Sequence, residues 1–155
     1  MCLANAQAGI RLFSIESYHN EVMRHMRTVR IYSPPGKAPP IPAFFDSLEP
    51  KMRRKLKLHL LRLTQLPLSE LKEPHYKHFS LEKYRPFYEM RERSGFLIRI
   101  IFTITDNEVL LLVPFIKKQS RDSERALEQA LAMLADVREH PERAIAYDYY
   151  KEDSP

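Results

Sequence analysis

Arg91 and Arg99 sit inside apolar, strand-patterned segments of FYEMRERSGFLIRIIF, and the pair Lys117-Lys118 follows the next apolar run, EVLLLVPFI. A cation is costly to bury without a partner. Both arginines are therefore expected on an open face of a sheet, where they can hold an anion. Glu89 shares that face, Arg93 lies near its rim, and Lys117 and Lys118 stand at the exit of the last strand. Such a group can position a phosphate and stabilise charge that builds up on it. It could promote attack of an RNA 2′-hydroxyl on the adjacent phosphate without a metal. No residue stands out as a general base. Arginine stays protonated, a lysine could serve only if neighbouring cations lower its pKa, and Tyr84, His75 and His78 are further candidates. The alternative is a cross-strand ion pair between Arg99 and Glu89 on a solvated face, worth only some tenths of a kcal/mol.

Other chemistries lack their residues. There is no G-x-S-x-G, no phosphate-binding glycine loop, no H-E-x-x-H and no pair of C-x-x-C motifs. His75 and His78 lie three apart, but no neighbouring carboxylate or cysteine pattern accompanies them, so they read as part of a polar loop. No metal and no cofactor are expected.

The elements that must position the arginines follow from periodicity. Arg27 to Ser33 alternates, with Val29 and Ile31 on one side, and predicts a half-buried strand that SPPGKAPPIP ends. Ile41, Phe44, Phe45 and Leu48 have helical spacing. Pro50 opens a second helix reaching about Leu66, with an apolar stripe of Met52, Leu56, Leu60 and Leu63 widened by Leu61. Its other faces carry Lys51, Arg53, Arg54, Lys55, Lys57 and Arg62 with no acid among them, a pattern suited to RNA phosphates as well as to solvent. Residues 67–85 read as a connector.

Three strands follow. Asp106-Asn107 suits a two-residue hairpin turn, since both residues tolerate positive φ. That turn pairs Ile104 with Val109, Phe102 with Leu111, Ile100 with Val113 and Ile98 with Phe115, making one apolar core face. The preceding loop is read as Arg93-Ser94-Gly95 with Gly95 left-handed, which sets Met90 opposite Ile98, Arg91 opposite Leu97 and Glu89 opposite Arg99. Arg99→Ala is expected to leave the fold intact, because Arg99 lies off the core face. A last helix runs from Ser123 to about Glu139, and the tail DYYKEDSP is expected to be polar and mobile. The order β-α-α-β-β-β-α predicts an α+β domain, a mainly antiparallel sheet of about four strands with helices on one face. Residues 26–140 would form the domain, 1–25 an extension and 141–155 a tail; the extension is either a loose helix or sequence ahead of a start at Met23 or Met26.

At 155 residues the chain is long enough for one domain with a proper core. Its net charge of +5 and pI of about 9.3 suit an anionic partner such as nucleic acid, or simple solubility. A single cysteine, Cys2, excludes an internal disulfide and fits a reducing compartment. No run of about 18 apolar residues is present, and the first residues lack a signal-peptide pattern, so a cytoplasmic protein is expected.

Four segments in order, GKAPPIPAFFDSL (Gly36–Leu48) before the basic helix, YEMR (Tyr88–Arg91), RIIF (Arg99–Phe102) and FIKK (Phe115–Lys118), resemble the RelE/HigB superfamily of type II toxin–antitoxin toxins, in its phage-derived, HigB-like branch. The likeness spans roughly Val29 to Glu139. It implies a RelE-like toxin fold and a ribosome-dependent endoribonuclease that cuts mRNA in the A site by 2′-hydroxyl attack. It also implies a neighbouring antitoxin, often of helix-turn-helix type. By position, Arg91, Arg99, Lys117 and Lys118 match basic residues of the family's active face, while Arg53, Arg54, Lys55, Lys57 and Arg93 would contact RNA. The tyrosine or histidine that some relatives place near the scissile phosphate has no counterpart in QSRDSERALEQ, and Tyr147, Tyr149 and Tyr150 follow only after the last helix. Two rival readings are a degenerate toxin that binds RNA or an antitoxin without cutting, and a regulatory protein acting on DNA.

Overall fold

A computed structural model describes residues 26–150. The readings made for the N-terminal extension, and for the last five residues of the tail, lie outside these. Six strands form one mixed sheet: β1 (Thr28–Tyr32), β2 (Tyr76–His78), β3 (Tyr88–Arg93), β4 (Leu97–Ile104), β5 (Glu108–Ile116) and β6 (Ala144–Ala146), in the order β2-β3-β4-β5-β1-β6. Neighbours are antiparallel except β1 and β5, which run parallel. The expectation of about four strands missed β2 and β6. Each is three residues long, too short for an alternation to register.

The helices are α1 (Pro40–Ser47), α2 (Pro50–Gln65) and α3 (Ser120–Glu139). Pro40 and Pro50 stand at the first position of α1 and α2, where a missing N–H costs nothing. The Asp122 carboxylate accepts the amides of Lys118 and Gln119 at 2.8 Å each, which starts α3 three residues earlier than its apolar stripe suggests. Arg27 is buried and closes the other end of α2. Its guanidinium donates to the Leu63 carbonyl at 2.9 Å, to that of Leu66, and across to Thr105 O at 2.7 Å.

Helices cover both faces of the sheet, not one. On one side Phe45 of α1 and Leu56, Leu60 and Leu63 of α2 pack against Ile98, Ile100, Phe102 and Leu111. On the other, Ala126, Leu127, Ala130 and Leu134 of α3 pack against Ile101, Leu110, Leu112 and Val113. Apolar residues on both faces explain the unbroken run VLLLV in β5. Losing a fully buried ring such as Phe102 would cost about 3–5 kcal/mol.

Registers decide which charges meet. The Asp106-Asn107 turn holds Ile104 opposite Val109 and Phe102 opposite Leu111, as expected. No non-glycine residue among those described has positive φ, so the turn is made without it. Beyond Phe102 a bulge changes the pairing to Ile101–Val113, Ile100–Pro114, Arg99–Phe115 and Ile98–Ile116. The extra residue, Leu112, lets Leu112 and Val113 both turn toward α3, and it moves Phe115 off the first core. In the β3–β4 hairpin Gly95 is left-handed (φ +77°), but the loop is Ser94-Gly95-Phe96. Pairing is therefore displaced by two residues from expectation: Arg91 faces Arg99, Met90 faces Ile100 and Glu89 faces Ile101. A shift of two preserves the faces, so the two arginines and Glu89 remain together.

The C-terminal segment is not a free tail at its start. β6 pairs with β1, and Tyr147 and Tyr149 are buried in the first core, Tyr147 edge-on to Phe45 at 6.1 Å. Asp136 of α3 ties this region together. It accepts from Arg143 and from the Tyr32 hydroxyl, the latter at 2.5 Å, and these bonds, Arg143's first, hold its carboxyl below the ordinary aspartate range. A carboxyl depressed in the folded state stabilises above its unfolded pKa and loses that contribution as pH falls through the folded one. Wild type should therefore exceed Asp136→Asn in stability by a constant margin above about pH 5, and the margin should shrink below about pH 4. Urea denaturation of both proteins at stepped pH measures it; a margin independent of pH would rule the ionic contribution out.

Candidate active-site cleft

A cleft of about 550 Å³ opens beside the β3–β4 hairpin, lined by Glu73, Pro74, His75, Arg91, Glu92, Arg93, Leu97 and Arg99. Its floor is an ion-pair cluster. Glu89 is 1% exposed, and its Oε1 accepts from Arg91 Nε at 2.8 Å and lies 3.3 Å from Arg99 Nε. Arg91 also reaches the exposed Glu73 at 3.4 Å, while Arg99 donates to the carbonyl of Ile98 at 3.1 Å. Burial, then the charges of Arg91 and Arg93, hold the Arg99 guanidinium below its ordinary value against the pull of Glu89; it stays cationic. An exposed pair such as Arg91–Glu73 is worth little in water. An incoming phosphate can replace Glu73 at low cost and take the two-pronged contact that arginine offers.

The wall beside His75 carries a second cluster. His59 of α2 is buried, and its Nε2 lies 2.6 Å from Glu92 Oε2. Ser94 Oγ donates to Glu92 Oε1 at 2.9 Å and accepts from Lys55 Nζ at 2.8 Å. Burial holds the His59 imidazole below its ordinary pKa, although Glu92 acts the other way. Burial pushes the Glu92 carboxyl up, but the bonds from His59 and Ser94 outweigh it and hold the carboxyl below its usual range. Together these favour a neutral imidazole donating through Nε2 to an ionised carboxylate. His75 is exposed, its ring centroid 5.0 Å from that of His59, and its carbonyl accepts the Arg91 amide at 2.7 Å. Tyr76 donates to the His59 carbonyl at 3.0 Å, and burial pushes its phenol up to about 12.

Of the expected site residues, Arg91, Arg93 and Arg99 come together in the cleft. Lys117 and Lys118 do not line it. The Lys117 amide donates to Leu97 O at 2.8 Å, at the cleft's edge, and Lys118 lines a separate groove with Asp122 and Arg125. Of the expected RNA contacts, Lys55 meets Arg93 in a second depression of about 370 Å³, with Lys51 and Ser94. Arg54 is exposed and Arg53 half-buried. Lys57 is buried, 6% exposed, because α2 sinks both flanks of its stripe into the protein; it is not a surface contact. Of the candidate bases, only His75 lines the cleft. His78 donates to the Arg85 carbonyl at 2.7 Å, and Tyr84 bonds Glu128 at 2.6 Å.

Sequence reasoning missed His59, Glu92 and Glu73. Two of them left a signal. His59 follows Leu56 by three residues on the apolar stripe, and Glu92 alternates with Tyr88 and Met90 on the core side of β3. A histidine and an acid both pointing inward are natural partners.

A family model described as "Phage derived protein Gp49-like (DUF891)" matches residues 43–135, more than half of the chain, so the chain belongs to that family. The match covers most of α1, all of α2, the cleft-forming hairpin and most of α3. No curated protein and no solved structure matches.

The ion-pair floor revises the expectation that Arg99→Ala leaves the fold untouched. Removing Arg99 leaves buried Glu89 one cation short, and the variant should lose about 1–3 kcal/mol. The double variant Glu89→Gln/Arg99→Ala should recover part of that loss. Urea midpoints of the single and double variants measure the coupling; additive losses would mean the pair is not structural.

Proposed function

We propose that this Gp49-like protein is the toxin of a type II toxin–antitoxin pair, with the architecture and activity of the RelE/HigB superfamily: an endoribonuclease that cuts mRNA on the ribosome. The observation that carries the reading is the convergence of Arg91, Arg93 and Arg99 with His75 and Glu92 on one cleft. Support also comes from the family, which is associated with toxin–antitoxin toxins. In this reading Arg91 and Arg99 bind the scissile phosphate and stabilise the charge that grows on it as the 2′-hydroxyl attacks. His75 takes the hydroxyl proton, within reach of solvent and of the Glu92–His59 pair. The step needs no metal, releases the 5′-oxygen of the next nucleotide and leaves a 2′,3′-cyclic phosphate.

The depression lined by Lys51, Lys55 and Arg93 shares Arg93 with the cleft, so basic surface continues from the cleft onto α2. With Arg53 and Arg54 it would meet RNA phosphates, and Lys117 and Lys118 would contribute from the end of β5; such binding weakens steeply with salt. The partners are ribosome, mRNA and a cognate antitoxin, which sets the protein in the cytoplasm. No described helix is long and apolar enough to cross a membrane.

A second reading, a toxin-like module that binds RNA or its antitoxin without cutting, is favoured by one observation: Glu89 already engages both Arg91 and Arg99.

Primer extension on a reporter mRNA in a reconstituted translation reaction separates the two. Wild type should give codon-phased cuts that require ribosomes. Arg99→Lys keeps a charge on Glu89 but loses the planar fork, and should cut about 100-fold more slowly. His75→Ala, on an exposed residue, should lose a similar factor. Uncut mRNA with folded wild-type protein bound to ribosomes would leave the binding module.

A further inference from the structure

His59, His75 and Glu92 come from three separately anchored places: α2, the turn before β2, and β3. Each offers one donor atom, and these atoms all lie within 4.8 Å of one another. The sequence hides the group, because 16 positions part His59 from His75 and 17 part His75 from Glu92. We propose that His59, His75 and Glu92 form a binding site for a single divalent transition metal, with zinc the best match.

The donor chemistry points that way. Two imidazoles and one carboxylate suit zinc and its neighbours, and poorly suit magnesium or calcium, which take oxygen ligands. In a tetrahedral site with bonds of about 2.0–2.1 Å, donors stand about 3.3 Å apart. The His59–Glu92 pair, at 2.6 Å, must open by about 0.7 Å, and the widest separation allowed by the 4.8 Å limit must close by about 1.5 Å. Changes of that size lie within side-chain rotation, above all for exposed His75.

A second observation is independent of the spacing. His59 is 4% exposed, yet its Nδ1 is buried with no hydrogen-bond partner. The Glu92 contact places the ring proton on Nε2 in the metal-free protein; on binding, that proton would move to Nδ1, where no neighbour competes for the position, and Nε2 would face the metal beside Glu92. Glu92 is in turn oriented by Ser94, and Ser94 by Lys55, the outer layer of support that metal carboxylates use. His75 and Glu92 both line the arginine cleft, so a fourth coordination position would open toward it. Three protein ligands with one open position is the arrangement of a site that exchanges a water or an anion.

The site stands whether or not the protein cuts RNA. Only its consequence rests on the nuclease reading: a metal held by His75 withdraws that imidazole from proton transfer, so zinc would restrain the toxin.

The test is zinc titration of chelator-stripped full-length protein, followed by calorimetry and by metal analysis after gel filtration. Wild type, Cys2→Ser and His140→Ala should each retain one zinc per chain and gain in melting temperature. His75→Ala and Glu92→Gln should bind at least about tenfold more weakly, with unchanged circular dichroism. Wild type that holds no zinc would overturn the proposal, as would zinc lost in Cys2→Ser but kept in His75→Ala. A separate cleavage assay, with zinc and then chelator added, tests the consequence alone; if wild type binds zinc but never cuts RNA, the nuclease reading fails and the metal site stands.

Discussion

Glu89 is the residue on which the cleft depends. Two arginines stand directly across the β3–β4 ladder, where side chains are close and like charges repel. Glu89, two residues before Arg91 on the same face, lies buried between them and turns a repulsive pair into a bridged trio. The arrangement also pins the hairpin. A one-residue slip would drive the Glu89 carboxylate into the α1–α2 core and Met90 out of it, so the charges reinforce the register that apolar alternation already sets. Two guanidinium charges against one carboxylate leave the trio net cationic. A binding surface for an anion needs that imbalance.

The sheet divides its labour along its width. α3 packs over β5 and β4, and its core draws in Leu112 and Val113 together because of the bulge in β5. The β2 edge is different. β2 is only three residues long, and past it the chain is represented by Glu73, Pro74 and His75, with the Arg91 amide held by the His75 carbonyl. A longer β2 would pair further along β3 and fill the sheet edge beside the arginines. Its brevity therefore does two things at once: it leaves room for the cleft and it swings His75 toward His59 and Glu92.

Strong periodicity made α1, α2, β1, the β4–β5 hairpin and most of α3 readable, and it assigned Arg91, Arg99 and Glu89 to one face. What escaped has local causes. β2 and β6 are shorter than one clear alternation. The β3–β4 loop was centred one residue early, on Arg93-Ser94-Gly95, because glycine was placed third in the loop rather than second; the resulting error of two residues left every face unchanged. The bulge at Leu112 has no sequence mark, since VLLLV reads the same with or without it. Lys57 flanks an apolar stripe and reads as solvated, and only the depth of α2 in the fold buries it. His75 carried no metal-like spacing along the chain, because its partners are brought to it by the sheet edge.

The three tyrosines after α3 bear on where any chemistry resides. Tyr147 donates its amide to Val29 O at 3.0 Å and packs against Phe45, which puts it at the β1 end of the sheet. Burial pushes the Tyr149 phenol up to about 12, so it is a neutral core group at ordinary pH. The arginine cleft lies at the opposite edge, among β2, β3 and β4, with β5 and β1 in between. Tyr147 and Tyr149 therefore close the core and Tyr150 is exposed beside them, which leaves any proton transfer in the cleft to groups on its wall. There the available donors and acceptors are His75 and the Glu92–His59 pair, one exposed and two held by neighbours. An exposed imidazole beside an oriented, buried partner is a workable acid–base arrangement and, with the same three side chains, a workable metal site. If both roles hold, free zinc in the surroundings would decide between the two states, because a single set of lone pairs cannot serve both.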